Sequence, residues 1–189
     1  MQKLLFILIT LLTLSANAGT IKTVGCNSGE TQKIKSAVRW LKNNISKIDQ
    51  KMGRNDLMNW PGNSRNKFIK KLDKTLKFHC ISQKNRCYND PNKPGYLLGR
   101  VVPVFNQKRV NLCTNNIRTY ASDWSRSRLA MYIHVIAHEI AHLVRLNAHR
   151  NQCVDKYENP RFSQSVGFAA EYAFASDNYN SADYSSLCP

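Results

Sequence analysis

Residues from about Ser125 to Leu146 constrain this chain most, because Leu129, Tyr132, Ile133, Ile136, Ile140 and Leu143 recur on or near one face at helical spacing. A helix of that kind must be packed against the rest of the chain. It also carries His138-Glu139-Ile140-Ala141-His142. Four residues is about one turn, so the two imidazoles project from the same face and are placed to bind a single zinc ion. Glu139 flanks that site, where its carboxylate can take the proton of a water made acidic by the metal and pass it to a leaving amine. The plain alternative is a pair of stacked core histidines beside a surface glutamate.

Tetrahedral catalytic zinc takes three protein ligands and keeps one position open. A third histidine six residues after His142 is absent, since that position is Ala148, and His149 is one residue out of step. Two candidates remain. Glu171 lies on a following helix, with Ala175 four residues beyond it. Asp155 stands 13 residues after His142, in a polar loop that Cys153 can pin.

Upstream, residues 27 to about 52 read as an amphipathic helix, with Asn27 and Glu30 in capping-box positions and Ile34, Ala37, Val38, Leu41, Ile45 and Ile48 facing the core. After the turn at Trp60-Pro61-Gly62, Ser64 caps a second, basic helix with a buried stripe of Phe68, Leu72, Leu76 and His79. Tyr96–Phe105 and Val110–Cys113 read as two strands joined at Asn106-Gln107, with Pro103 marking an edge or a bulge. Ser165 to about Ala175 reads as the last helix. The expected fold class is therefore α+β, mainly helical, with a small antiparallel sheet beside the histidine helix.

At the amino end, Lys3 precedes an apolar run from Leu4 to Leu14 and small residues at Ala16 and Ala18. That run is shorter than the roughly 20 residues of a membrane-spanning helix, so 1–18 read as a cleavable signal peptide and 19–189 as one domain, secreted or periplasmic. Cys26, Cys80, Cys87, Cys113, Cys153 and Cys188 all follow it, and an even number in an exported chain implies disulfides. The formal net charge of +16 implies attraction to anionic surfaces, but no aromatic-plus-basic pattern marks a nucleic-acid module.

Taken together these segments resemble the aspzincins, and within them the secreted peptidyl-Lys metalloendopeptidases related to deuterolysin. The likeness runs collinearly through Gly25-Cys26, Glu30, Trp60, Gly62, Arg65, Phe78-His79-Cys80, Val110-Asn111-Leu112-Cys113, the zinc motif, Cys153-Val154-Asp155 and Ala175-Ser176-Asp177-Asn178-Tyr179. It implies a zincin-like fold with zinc held by His138, His142 and Asp155, and Glu139 as general base. It further implies Asp177 in a pocket that selects lysine after the scissile bond, and Tyr157 at the oxyanion. The family's Gly-Thr-x-Asp-x-x-Tyr-Gly loop is altered, however. Both glycines are missing, and Tyr157 follows Asp155 by two residues. The resemblance also implies bridges Cys26–Cys80 and Cys87–Cys113, leaving Cys153 with Cys188.

The expected activity is hydrolysis of peptide bonds on the amino side of lysine by a monomeric enzyme with one zinc ion, acting on protein or peptide substrates. The rivals are a broad-specificity metalloprotease with Glu171 as third ligand, and a non-catalytic cationic protein binding anionic envelope or extracellular polymers.

Overall fold

The computed structural model describes residues 19–54, 57–82, 87, 97–101, 108–144 and 162–175. The chain starts with strand β1 (Ile21–Val24) and helix α1 (Ser28–Asn43). Asn27 caps α1 as the sequence predicts: its Oδ1 accepts from the Glu30 N–H at 2.8 Å, and Glu30 Oε2 accepts from the Asn27 N–H at 2.9 Å. The expected single helix is broken at Asn44, whose amide donates to the Trp40 carbonyl at 2.9 Å. The chain then continues as α2 (Ile45–Lys51). Ile34, Ala37, Val38, Leu41 and Ile48 are all fully buried, so the expected core face holds across the break.

Helix α3 (Ser64–Leu72) buries Phe68 and Leu72 but ends there. Leu76 and His79 belong instead to strand β2 (Leu76–Cys80), which corrects the expected helical stripe. The cause is a coincidence of periods. Phe68, Leu72 and Leu76 fit a helix, while Leu76 and Phe78 fit the alternation of a half-buried strand, and only the tertiary pairing decides.

Strands β3 (Gly99–Val101) and β4 (Arg109–Leu112) form the expected antiparallel pair. The sheet as a whole is not antiparallel. Its order is β1-β2-β4-β3, with β1 parallel to β2 and β2 parallel to β4. This mixed sheet replaces the expected antiparallel one: the helices between β1 and β2 return the chain to the same end, so those two strands run parallel, and β2 and β4 are parallel as well. Ile21, Leu76, Phe78, Val110 and Leu112 point to the helical side.

Helix α4 (Thr114–Asp123) follows, then α5 (Arg128–Val144) and α6 (Phe162–Ala175). In α5, 13 of 17 residues are buried, so it is enclosed nearly all round rather than along one stripe, with His134, Glu139 and His142 among the buried residues. It packs against α1, α3, α4, α6, β3 and β4, which makes it the axis of the domain.

Disulfides join Cys26 to Cys80 and Cys87 to Cys113, with Cα atoms 4.9 and 5.6 Å apart, in the pairing that the family resemblance implies. Cys153, Cys188 and Pro103 lie outside the described residues. No described helix is long and apolar enough to cross a membrane.

Candidate active site

His134, His138 and His142 form a ladder along α5, each four residues from the next. The rings of His138 and His142 meet edge to face with centroids 4.6 Å apart, and their Nε2 atoms are 2.9 Å apart. Two imidazole nitrogens on one tetrahedral zinc ion stand about 3.3 Å apart. A small opening of the pair therefore fits the metal, while the present distance also suits a hydrogen bond from one ring N–H to the other ring's lone pair. His142 is buried and His138 half-buried, so the pair opens to one side.

Glu139 points toward the sheet and is only 3 % exposed. The backbone N–H of Val101 donates to its carboxylate, whereas Oε2 has no hydrogen-bond partner among the described residues. Burial pushes its pKa up to about 8, with the Val101 hydrogen bond opposing the rise. A carboxyl poised near neutral pH is suited to accepting a proton and giving it back. The strand approaches so closely that a Cβ at Gly99 would stand 2.7 Å from Glu139 Oε1 and 2.9 Å from Val135 Cγ1. Only glycine fits there without displacing the carboxylate.

On the other side of α5 lies a buried charge network that sequence reasoning missed. Arg126 Nη1 donates to Glu171 Oε1 at 2.8 Å, and His134 Nδ1 lies 2.8 Å from Glu171 Oε2. The side chains of Arg126 and Glu171 are 3 % and 0 % exposed. Each of Glu171's two oxygens thus has a partner in a second network, and the carboxylate does not join His138 and His142 in a metal-sized cluster. The one faint signal was Glu171, the only charged residue of an otherwise uncharged helix, with no partner on its own element.

The His134 ring stacks on that of His138 at 6.3 Å and 13°, and Phe168 meets His134 edge-on at 4.6 Å. Helix α6 reaches this ladder through Gly167, where a Cβ would stand 3.0 Å from His134 Nε2 and 3.2 Å from His138 Cβ.

Asp155, Tyr157 and Asp177 lie outside the described residues. The one group of three potential metal ligands within 4.8 Å of each other, among the described residues, is Cys26, Glu30 and Cys80. Its two sulfurs are joined to each other, so it offers no thiolate. Searches against protein-family models, curated proteins and solved structures find no match for this chain.

Proposed function

We propose that the chain is a secreted, zinc-dependent endopeptidase that cuts on the amino side of lysine. One observation carries the reading. Two histidine Nε2 atoms 2.9 Å apart lie on the same helix as an adjacent glutamate whose pKa burial raises to about 8. His138 and His142 would hold the metal, with Asp155 as the third ligand that the family resemblance implies. The commitment of Glu171 to Arg126 and His134 favours Asp155 over Glu171 in that role. Zinc, when bound, polarises a carbonyl and acidifies water.

The protein's own part falls to Glu139. It sits in a water-poor pocket, takes the proton of the attacking water at its carboxylate, and returns it to the leaving amine. The Val101 N–H keeps that carboxylate oriented. Asp177 would attract the lysine ammonium at the residue after the cut, and Tyr157 would stabilise the oxyanion.

The test pairs zinc content with mass-spectrometric mapping of products from a denatured protein. Stoichiometric zinc and cuts before lysine, with both lost in Asp155→Ala, support the reading. Glu139→Gln should keep zinc and lose hydrolysis, and undiminished cleavage by that variant would remove Glu139 from the mechanism. Zinc unaffected by Asp155→Ala would return Glu171 to consideration. No zinc and no cleavage would favour the cationic binder, since the histidine pair is also at hydrogen-bond distance without metal.

A further inference from the structure

The parallel registers place three cations side by side on the sheet, Lys22 opposite Lys77 and Lys77 opposite Arg109. Side chains alternate along a strand, so this row projects from the face opposite to Phe78, Val110 and Leu112, away from α5. Neighbouring strands lie about 4.8 Å apart, so the row spans about 10 Å across three strands. Arg100 and His79 belong to the next row, joined through Asn111. None of the residues in the four strands is acidic.

Several observations show that this face is a concentrated positive field. Lys22, Lys77 and Arg100 are exposed to solvent. Arg109 Nε donates to Asn111 Oδ1 at 2.9 Å, which holds the guanidinium down over the sheet. His79 Nε2 is buried with no hydrogen-bond partner among the described residues, and burial first, then Arg109 and Lys77, lower the His79 pKa. The field continues past the ends of β2 and β4, where Lys71 is disfavoured as a cation by burial and then by Lys74 and Lys108. Like charges directly opposite each other on neighbouring strands destabilise a sheet, and a bound polyanion would reverse the sign of that interaction.

We propose that this face docks an extended sulfated polysaccharide lying across the strands, with Lys22, Lys77 and Arg109 each meeting a sulfate. Base stacking needs aromatic platforms, and the two rows offer none but the His79 imidazole, which disfavours nucleic acid. A bilayer anchor needs large apolar side chains, and among the described strand residues Val24 at the rim is the only apolar one on this face. The two disulfides fit an oxidising compartment, the setting in which extracellular polyanions are met.

The experiment compares heparin binding by the full mature chain and by two triple variants of equal charge. One carries Lys22→Gln, Lys77→Gln and Arg109→Gln. The other carries Lys35→Gln, Arg39→Gln and Lys47→Gln, all exposed on α1 and α2. The sheet variant should bind at least about tenfold more weakly and flatten the dependence of log affinity on log salt by about two to three units, while the helix variant changes little. Equal losses in both variants would overturn the proposal, because binding would then follow net charge alone. Tighter binding of the unaltered protein to a single-stranded oligonucleotide or to phosphatidylserine vesicles than to heparin would overturn the choice of occupant. A second readout needs no substitution. Heparin should protect Lys22 and Lys77 from acetylation, and equal labelling with and without it would also overturn the proposal.

Discussion

The seam between α5 and α6 and the outer face of the sheet both gather ionisable groups, and they hold them in opposite ways. In the seam, Arg126, His134 and Glu171 are buried and matched partner to partner, while Glu139, on the side of α5 that faces the sheet, is buried with one backbone donor. On the sheet, Lys22 and Lys77 are exposed and Arg109 is half-buried, with like charge beside like. Desolvation is the leading cause of the shifts at both Glu139 and His79, but only at His79 do neighbouring cations add to it. Burial therefore makes the seam sensitive to losing a single partner. Exposure leaves the sheet sensitive to salt and to what binds it.

The largest test of that contrast is pH. Glu139 has a folded pKa raised from 4.5 to about 8, so the stability present in acid is lost as pH rises through that window and stays low above it. In chelated protein the unfolding free energy should fall by on the order of 5 kcal/mol between those pH values. Urea titrations across that range should show the slope, and Glu139→Gln should remove it. A flat profile in the unaltered protein would mean that Glu139 is solvated.

Next in size is Glu171→Leu, which removes the buried carboxylate facing Arg126 and His134 and should cost about 3–5 kcal/mol in urea unfolding. Adding Arg126→Met should recover most of the loss, because the buried charge that faced Glu171 leaves with it. Failure to recover would show that the seam depends on shape more than on charge matching. Gly99→Ala should cost about 1–3 kcal/mol, since its methyl group meets the Glu139 carboxylate and Val135. The same variant should depress turnover of the proposed peptidase reaction more than substrate affinity, which kcat and KM measure separately.

The smallest effect is on the sheet. Lys77→Glu turns two like-charge neighbours into opposite ones and should stabilise the fold by about 0.2–1 kcal/mol at low salt. Heparin affinity should fall as stability rises. A variant that gains both would show that repulsion on the sheet and anion binding are unrelated.

Local features were readable from the sequence and distant pairings were not. The Asn27–Glu30 box, the core face of α1 and the His138–Glu139–His142 helix depend on spacings of one turn, and each is found where the pattern puts it. The β3–β4 pair was also legible, being a short antiparallel return. Strand β1 and its parallel partner β2 escaped because their register is set across 55 residues by packing and not by any local pattern. The Arg126–Glu171 pair escaped for the same reason, its members lying at a sequence separation of 45. Asp155, Tyr157 and Asp177 rest on the family resemblance, and a zinc-content assay reaches the first of them directly.

The donor that orients Glu139 is the backbone amide of Val101 rather than a side chain. Drift in the genetic code word at position 101 therefore leaves the donor in place for every amino acid except proline. The carboxylate's geometry is inherited with the path of the strand, and the side chain at 101 remains open to selection for other purposes.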